Sequence, residues 1–271
     1  MGAQANVSQA SISSLEATLL NTSGIVPLHN RFRALFTLKA LKNEDAIRII
    51  SKAFLDDSAL LKHELAYCLG QMKNTAALPI LESVLANEQE DPMVRHEAAE
   101  AMGAISAPSS LPVLHRYLSD PERSVRETCE IAIAKIDWDN SEEGRKHSQT
   151  IASSSDQSYT SIDPAPPSSR LLSGKAAPED TSDASIATLR TTLLDSSRPL
   201  FERYRAMFAL RNIGTPAAVD ALAAGFADDS ALFKSHAMFG GIRILQASVF
   251  FRTRINKQLF AMLRSHIASS S

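Results

Sequence analysis

Residues 61–72 read Leu-Lys-His-Glu-Leu-Ala-Tyr-Cys-Leu-Gly-Gln-Met, and 33 residues later the pattern returns at 94–105 as Val-Arg-His-Glu-Ala-Ala-Glu-Ala-Met-Gly-Ala-Ile. His63 aligns with His96, Glu64 with Glu97, Ala66 with Ala99 and Gly70 with Gly103. A fixed period of this length marks a helical solenoid, in which each helix pair buries its apolar face by stacking on its neighbours. The shared residues include polar ones that packing alone does not demand, so the repeat carries chemistry as well as scaffold.

Helical spacing of apolar residues predicts helices over 11–20, 30–41, 46–54, 59–72, 75–86, 92–105, 111–118 and 124–136. In the second of these, Phe32, Leu35, Phe36 and Leu38 form the apolar set, and Arg31, Arg33 and Lys39 are expected outside. Asp56-Asp57-Ser58 supplies capping oxygens between two helices. The last pair keeps the scaffold without the histidine, since Val125-Arg126-Glu127-Thr128 stands where Val94-Arg95-His96-Glu97 stood.

From Asp139 the composition turns to Ser, Thr, Pro and Gly with few apolar residues, too little to offset the entropy of ordering. Helical pattern then resumes, and residues 199–210 echo 27–38 at an offset of 172 that holds through Lys234, the counterpart of Lys62. The expected organisation is therefore an N-terminal helical-repeat lobe at 11–138, a disordered linker at 139–182, the start of a second helical-repeat lobe at 183–234 and an atypical tail at 235–271. The fold class is all-α, a solenoid duplicated into two lobes with the second incomplete. Where His63-Glu64 should recur, the chain reads Ser235-His236-Ala237. The tail carries five basic and no acidic residues, and its Val249, Phe250, Phe251 and Phe260 are expected to pack poorly.

Composition excludes several function classes. A net charge of -2 offers no basic field for direct nucleic-acid binding. No apolar run reaches the length of a membrane span, so no membrane partner is expected. Cys68 and Cys129 lie in helical patterns and suit small buried thiols of a reducing compartment. The second histidine of a zinc-protease helix is missing after both His-Glu pairs, and there is no Gly-rich phosphate loop, Gly-x-Ser-x-Gly or Cys-x-x-Cys.

What remains is the His-Glu constellation. Neighbouring repeats place His63, Glu64, His96 and Glu97 on one surface, as candidate metal ligands. Nitrogen and carboxylate oxygen without thiolate suit iron, manganese or zinc, and several carboxylates favour a bridged pair of metals. Glu100 lies on the same face as His96, either behind a ligand or as a solvated charge, while His29, His115, His147 and His266 read as surface residues.

Residues 63–72, Pro92-Met93-Val94-Arg95-His96-Glu97, Asp163-Pro164-Ala165-Pro166-Pro167 and residues 199–212 together resemble the deoxyhypusine hydroxylase family of HEAT-repeat enzymes. The resemblance spans residues 15–234 apart from part of the linker. It implies two iron ions as cofactor, activation of O2, and hydroxylation of the deoxyhypusine residue of the hypusine-containing translation factor, the protein substrate. It further implies a monomer in the cytoplasm and nucleus. In the family four His-Glu pairs hold the irons; here His63, Glu64, His96 and Glu97 match two of them, so this chain is expected to bind iron weakly and turn over little. The alternative reading is a non-catalytic HEAT-repeat protein-binding module that keeps half a metal site.

Overall fold

The computed structural model describes residues 8–152, 162–168, 171–172, 175–176 and 181–247. Its described residues form thirteen α-helices, with one two-residue antiparallel pairing of Leu171–Leu172 with Lys175–Ala176. The chain divides into two compact units, Met1–Pro164 and Ala165–Ser271, each with its own helices.

In the first unit the helices are α1 (Gln9–Leu19), α2 (Leu28–Leu41), α3 (Glu44–Lys52), α4 (Ala59–Met72), α5 (Leu78–Ala86), α6 (Pro92–Ile105), α7 (Leu111–Arg116), α8 (Arg123–Asn140) and α9 (Glu142–Ala152). α2, α4, α6 and α8 are the inner members of successive pairs, and α4 packs along α6, and α6 along α8, far more extensively than α2 along α4. Local chemistry sets the starts: Ser58 Oγ accepts the Leu61 amide at 3.2 Å, and Asp91 accepts the Met93 amide with Pro92 at the first helical position. The ends are equally regular. α2, α4 and α6 stop at Lys42, Lys73 and Ser106, all left-handed, with φ of 51°, 53° and 63°. These caps fix the register between inner helices: Phe32, His63, His96 and Glu127 are equivalent positions, as are Phe36, Tyr67 and Glu100, and Lys39, Gly70 and Gly103.

The glycines in that last row are contact points rather than terminators. A Cβ on Gly70 would lie 2.7 Å from Ala101 Cα, and one on Gly103 would lie 3.0 Å from Ala132 Cα. Only a hydrogen lets α4 approach α6, and α6 approach α8, this closely.

Charged residues bind the repeats together in a way that the sequence reading did not anticipate. Arg31, expected outside, is buried; its Nε donates to Leu19 O at 2.9 Å and a terminal nitrogen to Asp56 at 2.5 Å. Arg95 does the same with Leu85 O at 3.0 Å and Asp120 at 2.5 and 3.2 Å. Each aspartate turns its other role inward, Oδ1 accepting the amide of Ser58 or Glu122 at 2.9 Å. One guanidinium thus joins the end of the preceding outer helix to the turn 25 residues ahead, and that carbonyl and carboxylate compensate the burial of its charge. Lys39, also expected outside, is 6% exposed, while Phe36 is 40% exposed. The Lys39 ammonium lies 4.8 Å from the Phe36 ring centroid and 5.5 Å from that of Tyr67.

The second unit comprises α10 (Asp183–Leu194), α11 (Leu200–Ile213), α12 (Pro216–Ala224) and α13 (Ala231–Ala247). It repeats the clamp: Arg203 Nε donates to Leu193 O at 2.9 Å, a terminal nitrogen bonds Asp228, and Asp228 accepts the Ser230 amide. It repeats the cap as well, with Gly214 at φ 65°.

Two stretches differ from the expected organisation. α8 continues to Asn140 and α9 occupies Glu142–Ala152, inside the segment read as linker. α9 carries a Glu142–Lys146 ion pair and packs His147 edge-on against Trp138, so His147 is half-buried rather than on the surface. α13 runs through Ser235 to Ala247 where the tail was expected to depart, and it carries Gly240-Gly241 without a proline to end it; Ala237 is fully buried. Linker residues 153–161, 169–170, 173–174 and 177–180, and residues 248–271 with Val249, Phe250, Phe251, Phe260 and His266, lie outside those described.

Candidate metal centre

The close approach at Gly70 puts the fifth residues of α4 and α6 side by side. The His63 and His96 ring centroids are 5.7 Å apart at 54°, and His63 Nε2 is 3.1 Å from Glu97 Oε2. His63, His96 and Glu97 each present a ligand atom within 4.8 Å of the others. Glu64 stands outside this group, on the far side of His63, with Oε1 3.6 Å from Nδ1. Of the four sequence candidates, three are therefore brought together and the fourth flanks them. Burial is graded: the His63 and Glu64 side chains are 27% and 28% exposed, whereas His96 and Glu97 are buried.

Burial by itself pulls the His63 pKa down, but the hydrogen bonds and charges of Glu64 and Glu97 outweigh it and push the imidazole up to about 10. A positive charge at His63 is thus held between two carboxylates, as a divalent cation would be. Glu100, one turn beyond Glu97, is half-buried; burial and then the Glu97 charge raise its carboxyl well above the usual range, with Asp163 adding to the effect and His63 opposing it. It is neither the solvated charge nor a demonstrated ligand, but it belongs to the same electrostatic cluster.

Three contributors escaped the sequence reading. Thr128 occupies the Glu97 position of the third repeat, the one that keeps the scaffold without the histidine. Its hydroxyl donates to Ser124 O at 2.8 Å, so its oxygen is left to accept from His96 Nδ1, 3.5 Å away. That tautomer keeps the lone pair of His96 on Nε2, the nitrogen suited to a metal. Gln71 grips the backbone of Ile162, accepting its amide at 2.7 Å and donating to its carbonyl at 3.1 Å, and so seats Asp163 near Glu100. Lys39 and the rings of Phe36 and Tyr67 line, with His63 and Glu64, an open pocket of about 510 Å³. A residue equivalent to Glu97 that is still hydrogen-bonding, and Asp163 beside its prolines, were the available signals.

The donor set fits a metal: two imidazoles and several carboxylates with no thiolate, since burial pushes both Cys68 and Cys129 up to about 12 and keeps them as neutral core thiols. His29 and His115 are exposed, as expected. In the second unit His236 stands one place past the register of His63. Its Nδ1 is 3.0 Å from Leu232 O and 3.3 Å from the Tyr204 hydroxyl, with its ring 5.2 Å from that of Tyr204. Those contacts account for it as a packing residue.

A family of HEAT repeats matches residues 85–146, and the PBS lyase HEAT-like repeat matches residues 61–87 and 202–228. The chain is 67% identical over 235 residues to a deoxyhypusine hydroxylase of Lentinula edodes, covering 86% of this chain and 71% of that one. It is 53% identical over 232 residues to that of Cryptococcus neoformans, covering 84% and 59%, and 49% identical over 224 residues to that of Danio rerio, covering 82% and 67%. The structure of human deoxyhypusine hydroxylase in complex with glycerol aligns at a TM-score of 0.71 and 44% identity over 89% of this chain and 78% of that one. The chain spans between 59% and 71% of the length of these curated relatives.

Proposed function

The chain belongs to the deoxyhypusine hydroxylase family, oxidoreductases of hypusine synthesis that act on a modified protein, and from that premise we propose that His63, Glu64, His96 and Glu97 hold iron for the hydroxylation of a deoxyhypusine side chain. The observation that carries this reading is the convergence of His63, His96 and Glu97 to within 4.8 Å, beside an open pocket. Bound iron, two ions in a complete site, supplies the activation of O2. One oxygen atom enters a C–H bond of the substrate and the other leaves as water, with two electrons and two protons from an external reductant.

The chain's own residues do the rest. Thr128 orients the His96 ring through Nδ1, and burial of His96 and Glu97 keeps water from the inner ligands. His63 and Glu64 face the pocket through which the substrate side chain approaches. The protein substrate is the hypusine-containing translation factor, met by a monomer in the cytoplasm and nucleus, where the two free thiols suit a reducing milieu. Because Ser235 and His236 occupy the register of His63 and Glu64 in the second unit, this chain by itself holds iron weakly.

The test is anaerobic loading with ferrous iron, metal analysis, and assay on the deoxyhypusine-bearing factor, for the chain and for Glu97→Gln. Iron bound by the chain and lost with Glu97→Gln supports the reading. Iron bound equally by both, or by neither, sinks the ligand assignment, and a chain that binds the factor without metal favours the non-catalytic module.

A further inference from the structure

The row of equivalent positions that reads Gly70 on α4 and Gly103 on α6 reads Lys39 on α2. Where glycine brings two inner helices to backbone contact, a long buried side chain does the opposite: its stem needs room, and α2 packs along α4 much less than α4 along α6. The space so left is the pocket of about 510 Å³ bounded by Phe36, Lys39, His63, Glu64 and Tyr67. Lys39 also fixes two of its walls, its ammonium lying 4.8 Å from the Phe36 ring centroid and 5.5 Å from that of Tyr67. The second unit repeats the device independently. Arg211, the counterpart of Lys39 at the offset of 172, stacks its guanidinium 4.7 Å from the ring of Phe208, the counterpart of Phe36. A basic residue on the first inner helix of each unit, resting on a phenylalanine one turn earlier, is a shared structural feature rather than a stray surface charge.

Resting on the proposed function, we infer that Lys39 is a positioning residue that props α2 away from α4, and that the slot it opens receives the aliphatic amine side chain of the substrate between Phe36 and Tyr67. The chemistry of the slot selects such a ligand. Two aromatic walls suit a run of methylenes. Glu64, which flanks the His63–His96–Glu97 group, offers the amine a charged partner, and His63 in the lining brings the alkyl chain beside the metal ligands. The volume lies within the roughly 300–1,000 Å³ of small-ligand sites.

The experiment is calorimetric titration of the full chain with a short peptide bearing deoxyhypusine, against the same peptide bearing lysine, with metal content measured on each sample. Lys39→Arg, the residue of the second unit, is expected to bind within about twofold of the parent, and Lys39→Gly about tenfold more weakly with metal content unchanged, a loss of about 1.4 kcal/mol. Tyr67→Ala removes one wall while keeping the Lys39 stem and its contact with Phe36, and is expected to weaken binding by a similar factor, which keeps the inference testable should Lys39→Gly fail to fold. Parent-like binding by a folded Lys39→Gly or by Tyr67→Ala overturns the slot while leaving the hydroxylase reading intact. Failure of Lys39→Arg to rescue, or metal lost along with peptide binding in every Lys39 variant, overturns the positioning role. A parent chain that holds metal but ignores the deoxyhypusine peptide overturns the substrate reading and the inference with it.

Discussion

Replacing Gly70 by alanine adds one methyl group at the tightest point between α4 and α6. That carbon would lie 2.7 Å from Ala101 Cα, 2.9 Å from Ala101 Cβ and 3.3 Å from Ala101 O. Unbonded carbons settle at about 3.5–4.0 Å, so the helices must separate by roughly 1 Å, and no flexible side chain is present to give way. Overpacking of this kind costs about 1–3 kcal/mol, against about 1 kcal/mol regained from the better helix propensity of alanine. Net destabilisation of up to about 2 kcal/mol is expected, read as a lower urea midpoint at unchanged slope. Gly103→Ala, whose added carbon meets Ala132 at 2.9 and 3.0 Å, is expected to cost less. The same separation stretches the 3.1 Å contact of His63 Nε2 with Glu97 Oε2, so Gly70→Ala should weaken metal binding more than it weakens folding. A midpoint that stays or rises, with metal affinity intact, would refute both the close-contact argument and its link to the site.

Asp120→Ala leaves the buried Arg95 guanidinium without its carboxylate, and about 3–5 kcal/mol of stability is expected to go with it, measured by the same unfolding curves; a loss under about 1 kcal/mol would place the clamp among surface pairs. Burial raises the Asp120 carboxyl, but the hydrogen bond and charge of Arg95 outweigh it and hold the pKa below the usual range, as Arg31 does for Asp56. A depressed folded pKa contributes stability that is present above the unfolded value of about 3.9 and disappears as pH falls through the folded value, so acid unfolding should set in below about pH 4 and flatten in Asp120→Asn. Gln71→Ala removes both hydrogen bonds to Ile162 and should speed exchange of the Ile162 amide about tenfold, equivalent to roughly 1.4 kcal/mol; unchanged protection would mean that the prolines alone hold Asp163 in place.

The helices of the first repeats and the four ligand candidates were legible in the residues because they depend on local order, whereas α9 and the extent of α8 and α13 were not. A 33-residue spacing between α4 and α6, an apolar face every three or four residues and a serine or aspartate before α1, α4, α6 and α10 act within one repeat, and His63, Glu64, His96 and Glu97 recur in step with them. The inside and outside of α2 were not legible on that basis. Arg31 is inside because Asp56 and the Leu19 carbonyl receive it, and Lys39 because two rings on different helices do. Thr128 looked like a lost ligand until stacking set it against His96, and Gln71 meets Ile162 across 91 residues of chain. Tertiary structure alone chose these partners. Periodicity reports which side of a helix is apolar, whereas the identity of the group facing a buried charge depends on the register and spacing of separate helices, set here by Gly70 against Ala101 and by Lys39 where a glycine is absent.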